Sequence, residues 1–347
     1  MVGAGAFGRN HARVYRELQA AGEGVELAAI VDLDLDHAAS VVERLPTIAG
    51  AAPIPLFGSV HDLLRSDLKV GAASVAVPTT DHLPVARELM QAGVDVLIEK
   101  PLARTLAEAD ELIAAAAHTG RIAQAGHLER FNPAVRVTLP LVRQPMFFEV
   151  HRLSLFSPRA LDVDVVLDLM IHDLDIVLAF TGSPVREIRA VGIPILSDKV
   201  DIANVRLELE NGCVANFTAS RVSTEQVRKL RFFQPHQYVS LDYSRQDVFT
   251  LSVEAADAPS AGSAPAAPFP PIALPSGLRI VPSKPQVVSE EPLRAELRAF
   301  LQAVRDRTRP VVPLEDGRRA LAVALDILSQ IEKHLQRANL GSMAARG

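Results

Sequence analysis

Only one cysteine, Cys213, occurs in the 347 residues. No internal disulfide can form, which fits a reducing compartment, and Cys213 reads as a strand residue rather than a nucleophile. Long apolar runs are missing as well: no stretch approaches the ~18 consecutive apolar residues of a membrane span. The opening Met1-Val2-Gly3 has neither a basic n-region nor an apolar h-region, so the expected location is the cytoplasm. Basic clusters are absent too. With a net charge of -5 the chain has no Lys/Arg stripe to replace phosphate counterions, which argues against a nucleic-acid partner and leaves small-molecule chemistry.

What is present is a globular balance, 48% hydrophobic and 22% charged, in a chain longer than one core usually spans. Two domains are expected, 1–125 and 126–340. In the first, short apolar runs alternate with amphipathic stretches, the pattern of an α/β unit around a parallel sheet. Val25 to Val31, Ala73 to Val77 and Val94 to Ile98 read as strands. Leu83 to Ala92 and Leu106 to Ala117 read as helices, the second opened by Thr105 and closed by Gly120. After residue 145 the texture is α+β, with alternating segments at Met146 to Leu155, Ile188 to Ile193, Asn204 to Leu209 and Cys213 to Ser220. These imply a mostly antiparallel sheet, and Asn211-Gly212 marks a hairpin turn. Residues 255–292, dense in Pro, Ala and Ser, read as a mobile loop. Helices are expected at Glu291 to Arg305 and Asp316 to His334, and no internal repeat is found.

Gly3-Ala4-Gly5-Ala6-Phe7-Gly8 fits G-x-G-x-x-G and leads into a helical pattern containing His11, Val14 and Leu18. The glycines let the backbone approach a pyrophosphate whose charge meets the helix N-terminus. Asp32, ending the next apolar strand, is placed to accept hydrogen bonds from ribose hydroxyls. It would repel a 2'-phosphate, and no Arg or Lys follows in Leu33-Asp34-Leu35-Asp36, so NAD is expected over NADP. The fingerprint should follow a buried strand of about five residues, whereas only Met1 and Val2 precede Gly3; the expectation is that the natural start lies upstream.

Glu99-Lys100-Pro101 puts a lysine at the carboxyl edge of the parallel sheet, where ligands of such folds bind. Pro101 restricts Lys100 to extended geometry. Val165 to Phe180 reads as a helix that is apolar nearly all round except for a narrow stripe of Asp168, His172 and Asp175, whose offsets of four and three share one face. Buried acids and histidines need partners, so the stripe is either a functional site or a satisfied core network. Asp168 and His172 also have the spacing of two metal ligands, but no third His or Cys supports them, and no metal is expected.

Together, the fingerprint, Pro78-Thr79-Thr80-Asp81-His82, Glu99-Lys100-Pro101, Asp168 through His172 and Glu296-Leu297-Arg298-Ala299-Phe300 resemble the glucose-fructose oxidoreductase / inositol dehydrogenase (Gfo/Idh/MocA) family. The likeness covers almost the whole chain. It implies a Rossmann domain followed by an open-faced, mostly antiparallel sheet used in homodimer or homotetramer contacts. It also implies a cofactor set of Gly3, Gly5, Ala6, Phe7, Gly8, Asp32, Pro78, Thr79, His82, Glu99 and Lys100. Carried over by position, Lys100 contacts both nicotinamide ribose and substrate, His172 is the acid/base, and Asp168 supports it. Gly126-His127-Leu128-Glu129-Arg130-Phe131-Asn132-Pro133 and Asp168-Leu169-Met170-Ile171-His172-Asp173 resemble the branch that oxidises UDP-N-acetylglucosamine at carbon 3. The family's glycine-rich lead into the catalytic helix is replaced here by Leu161-Asp162-Val163-Asp164. A diphosphate substrate needs cations, for which Arg130, Arg159 and Arg221 are the candidates, with Asn132 as a further substrate contact. The alternatives are an inositol or other polyol dehydrogenase, and a non-catalytic NAD-responsive binding protein.

Overall fold

Val2 holds together the first sheet of the computed structural model, which describes residues 1–156, 163–257 and 269–338. It makes parallel bridges to Val31 on one side and Val75 on the other. The elements around it alternate as α1 (Gly8–Ala20), β1 (Ile30–Val31), α2 (Leu35–Val42), β2 (Leu56–Phe57), α3 (Val60–Arg65), β3 (Ala72–Val75), α4 (His82–Gln91), β4 (Asp95–Glu99), α5 (Leu106–Thr119) and β5 (Ala123–Gly126). β1 pairs with β2, and β3, β4 and β5 pair in that order, every pairing being parallel. Each residue of β4 is buried, as a strand covered by helices on both faces must be. α5 starts where expected, the Thr105 side chain accepting from Glu108 N, and ends at Gly120 with φ +63°. The expected strand from Val25 is shorter, because only Ile30 and Val31 meet Leu56 and Phe57 in register.

The second unit is built on a nine-stranded sheet. Its elements are α6 (Pro133–Thr138), β6 (Phe147–Leu155), α7 (Ile171–Thr181), β7 (Val185–Ile193), β8 (Ile202–Leu209), β9 (Val214–Ser223), β10 (Val227–Gln234), β11 (Gln237–Asp242), β12 (Asp247–Ala255), β13 (Ile272–Ala273) and β14 (Leu278–Ser283). The order is β13-β14-β12-β11-β10-β6-β9-β8-β7, antiparallel except for β6 against β9. Alternation sends Phe148 and Phe232 inward to α7, where Phe180 meets Phe232 edge-on at 6.1 Å. Each such side chain contributes roughly 1.5 to 3 kcal/mol on burial. Part of the expected Pro/Ala loop is ordered: β14 pairs with β12, and β13 with β14. Its β-branched residues Ile272, Ile280 and Val281 give these strands the propensity that the surrounding prolines hide.

The chain closes with α8 (Pro292–Asp306) and α9 (Leu314–Arg337). The sequence reading gave everything from 126 to 340 to the second domain, whereas Glu291–Arg318 clusters with Met1–Leu128. The reason lies in the α8 face that carries Leu297 and Phe300, which join Val14, Leu18 and Leu97 in the core of the first unit. Arg298 pairs with Glu23 beside them. From Arg319 onward α9 belongs to the second unit, whose core takes Ala320, Ala324, Ile327 and Ile331. Among the described residues no helix is long and apolar enough to cross a membrane.

Candidate active site

Two of the three fingerprint glycines are required by the fold itself. Gly3 has φ +87°, and a Cβ there would come within 2.6 Å of Ala76 O. A Cβ on Gly8, the first residue of α1, would sit 1.7 Å from Gly3 O. Around Gly5 a Cβ would meet nothing within 4 Å, so the space beside its backbone is open, as close approach of a pyrophosphate needs. No side chain caps α1; Arg9 N already donates to Gly5 O, and Asn10 N and His11 N to Phe7 O, which leaves the N–H of Gly8, the first residue of the helix, to face an anion. Asp32 grips the loop, Oδ2 accepting from Ala4 N at 2.6 Å and Oδ1 from Asp34 N at 2.9 Å, and it keeps lone pairs for a ribose. His37 Nε2 lies 3.1 Å from Ala4 O, a second clamp that the sequence reading passed over. These features fit a dinucleotide.

Lys100 follows β4 through a cis bond to Pro101, and its Nζ stands 5.8 Å from the centre of the Phe7 ring, within cation–π range. Phe7 is 47% exposed, so the ammonium lies over the outer face of the glycine loop. Two residues expected to touch the cofactor also brace the protein. Glu99 is buried, its Oε1 2.9 Å from His11 Nε2 and its Oε2 accepting from Lys100 N at 3.2 Å. Burial is the strongest single influence and would raise this carboxyl, but the His11 bond together with the charges of His11 and Lys100 and the Lys100 N–H outweighs it, and the group stays below the usual carboxylate range. His82 is buried, its ring nitrogens 3.2 Å from Leu102 O and 3.1 Å from Val77 O. It therefore ties the chain after β3 to the chain after Pro101, and burial lowers its pKa. Pro78 is exposed and Thr79 half-buried. His11, three residues past the fingerprint and fully buried, is the partner of Glu99 that the helical pattern did not single out.

In the second unit Asp168 falls in a π turn, Val166–Met170, that runs into α7. The sequence pattern predicts one continuous α-helix here. The wider turn, closed by i→i+5 bonds, is a feature that recurs at functional sites. His172 and Asp173 are both buried on the first turn of α7. The expected stripe divides: Asp175 pairs with Arg130, and Asp173, off the stripe, pairs with Arg152. Among the described residues no group of three or more His, Cys, Asp or Glu is arranged to hold a metal ion.

The candidate substrate contacts are largely committed elsewhere. Arg130 makes a fork to Asp175, Nε to Oδ2 at 2.6 Å and the second nitrogen to Oδ1 at 2.9 Å. Asn132 is buried; its Oδ1 caps α6 at Ala134 N, and its Nδ2 donates to Glu129 and to Tyr243 O. Arg221 pairs with Asp201 at 3.2 Å and donates to Val163 O and Val200 O. Val200 in turn bonds Asp164, whose carbonyl accepts from Asp168 N. Arg221 thus holds the lead into the π turn. Arg159 lies outside the described residues.

Asp201, fully buried, accepts from the backbone N–H groups of Ile195, Leu196 and Ser197. Burial opposes its charge, yet these bonds win and hold the carboxyl below its usual value. A depressed pKa stabilises the fold fully above the ordinary aspartate value of about 3.9, and the contribution fades as pH falls through the lower folded value. Asp201→Asn is accordingly expected to lower Tm at pH 7, with the gap to wild type closing as pH falls below about 4. Thermal scans from pH 3 to 7 check this, and a gap independent of pH would refute it.

Below α7 lies a buried charge network absent from the sequence reading. Arg152 donates to Asp173 at 2.6 and 3.0 Å and to Glu129 at 3.0 Å, and its guanidinium stands 5.1 Å from the Tyr243 ring. Strand parity is the signal that could have found it. Phe148, Val150 and Arg152 share the inward face of β6, so an arginine at that register is a buried charge.

A model of an oxidoreductase family with an NAD-binding Rossmann fold matches residues 1–127, and the model of the GFO/IDH/MocA C-terminal domain matches residues 145–234. The UDP-N-acetylglucosamine 3-dehydrogenase of Acidithiobacillus ferrooxidans is 36% identical over 342 residues, covering 97% of this chain and 98% of that protein. Its solved structure superposes with a TM-score of 0.81 at 33% identity, covering 96% and 97% of the two chains. An inositol 2-dehydrogenase of Rubrobacter xylanophilus is 32% identical over 200 residues, 56% of this chain and 54% of that one. The myo-inositol 2-dehydrogenase structure from Lactobacillus plantarum shares the fold, with a TM-score of 0.73 at 18% identity over 96% of each chain. With the cradle intact and a relative matched from end to end, the chain belongs to the GFO/IDH/MocA family of NAD-binding oxidoreductases.

Proposed function

We propose that this protein oxidises the carbon 3 hydroxyl of UDP-N-acetylglucosamine to a ketone. The observation that carries the reading is the end-to-end likeness to a dehydrogenase of that substrate, joined to a glycine cradle whose geometry admits a pyrophosphate. Bound NAD supplies the hydride acceptor.

The chain's own residues supply the proton chemistry and the fixed charges. The His172 imidazole takes the proton of the substrate hydroxyl, and Asp168 orients that ring. The Lys100 ammonium stabilises the negative charge developing on the substrate oxygen. Its direction is set by the Phe7 face and by Glu99, which holds the Lys100 backbone. His11 and His82 act through that arrangement as positioning residues. A cytoplasmic location and a homodimer or homotetramer belong to the same reading. The aromatic set Phe147, Phe233 and Tyr238 on the outward face of the sheet, with ring centres 5.6 and 5.1 Å apart, supports contact with a second copy.

The test mixes the protein and NAD separately with UDP-N-acetylglucosamine, UDP-glucose, glucose and myo-inositol, following NADH and the ketosugar. NADH formed fastest with UDP-N-acetylglucosamine is the expected result. A preference for myo-inositol would reassign the substrate, and NAD binding with no turnover of any of the four would remove the enzymatic reading.

A further inference from the structure

Arg228 stands on β10 directly opposite Arg152 on β6. Alternation puts it on the inward face with Leu230 and Phe232, at the end of the sheet where the buried acids collect. Its electrostatic surroundings comprise Arg152, Glu129, Asp173 and Asp168. Two of those acids are already turned onto Arg152. Arg228 Nε is enclosed and has no hydrogen-bond partner, and no described carboxylate lies within ion-pairing distance of its guanidinium. Burial first, and then the like charge of Arg152, push its pKa down.

A desolvated cation beside another cation, with no acid in contact, opposes folding. Proteins keep such a group where a ligand completes it, and activity and stability then pull against each other. A guanidinium fork matches phosphate oxygens two at a time, whereas a neutral sugar hydroxyl would leave its charge uncompensated. Arg130 and Arg221 are held by Asp175 and Asp201. We propose that Arg228 is the cation that receives the diphosphate of the nucleotide-sugar substrate. The assignment rests on the UDP-sugar reading above. It also places the anion in the surroundings of Asp168, whose turn leads to His172.

The experiment compares the full-length protein with Arg228→Gln and Arg228→Lys. Four quantities are measured: KM for UDP-N-acetylglucosamine, KM for NAD, calorimetric affinity for UDP, and Tm without ligand. The glutamine variant is expected to raise KM for the nucleotide sugar and weaken UDP binding by about 10- to 100-fold. The lysine variant, which keeps charge but not the fork, should fall between. KM for NAD should not move. Tm of the ligand-free glutamine variant should equal or exceed that of wild type, because a repelled, desolvated charge has gone. A merely structural arginine would show the opposite, a lowered Tm. Unchanged UDP affinity in Arg228→Gln, or a Tm below wild type, overturns the assignment while leaving the proposed function standing. Wild-type protein that neither binds UDP nor oxidises UDP-N-acetylglucosamine overturns both.

Discussion

Replacing His172 by alanine is expected to lower kcat by about two to four orders of magnitude, the usual contribution of a positioned acid/base. NAD affinity should stay near wild type, because the cradle of Gly3, Gly5, Gly8 and Asp32 belongs to the other structural unit. The residue sits on the first turn of a helix that is buried throughout its length up to Leu178. An imidazole in such a helix is fixed in direction, and catalysis by a base requires that fixed reach. Asp168→Asn should produce a smaller loss, since it alters the orientation of the ring and not its presence. Steady-state kinetics with titration of NAD separates the two cases. Wild-type turnover in His172→Ala would remove the imidazole from the mechanism, and equal loss of NAD affinity would show that the substitution had damaged the fold.

Arg152→Met should give the largest loss of stability among the side chains described. Breaking a buried ion pair by removing one partner costs about 3 to 5 kcal/mol, or about 6 to 20 °C in Tm for a unit of this size. Burial opposes the Arg152 cation, yet Asp173 and Glu129 hold it charged, and its removal leaves both acids without their fork. Asp173, whose carboxyl burial already pushes upward, would then take up a proton, so the loss should shrink at lower pH. Adding Asp173→Asn and Glu129→Gln to Arg152→Met should recover much of the stability, because neutral groups need no counter-charge. Thermal unfolding of the single and triple variants at pH 5 and 7.5 tests this, and a single-variant Tm within about 2 °C of wild type would contradict it.

The parallel sheet was legible because its signals are local. Glycines at 3, 5 and 8 have positive φ, open space or sub-contact packing to explain them one by one, and Thr105 and Gly120 delimit α5 where the chain pattern puts them. Asp32 was placed by strand length and spacing. The partners of the arginines were hidden for the opposite reason. Nothing in the neighbourhood of Arg130 or Arg221 announces Asp175, 45 residues away, or Asp201, 20 residues away, as its partner. Glu99 and His82 stand among the cofactor contacts that the family resemblance implies. Their bonds to His11 and to two backbone carbonyls make them braces.

The sequence by itself determined the family, the cofactor and the alternation of strands and helices, because these depend on residues close together in the chain or on a periodicity of 2 or 3.6. Tertiary structure alone decided which charges are spoken for, where α8 packs, and that a π turn interrupts the expected helix. The physical reason is that a charge's role depends on its desolvation and on the nearest opposite charge. Both are set by contacts between segments far apart in sequence, as Arg152 and Arg228 show on neighbouring strands with opposite outcomes.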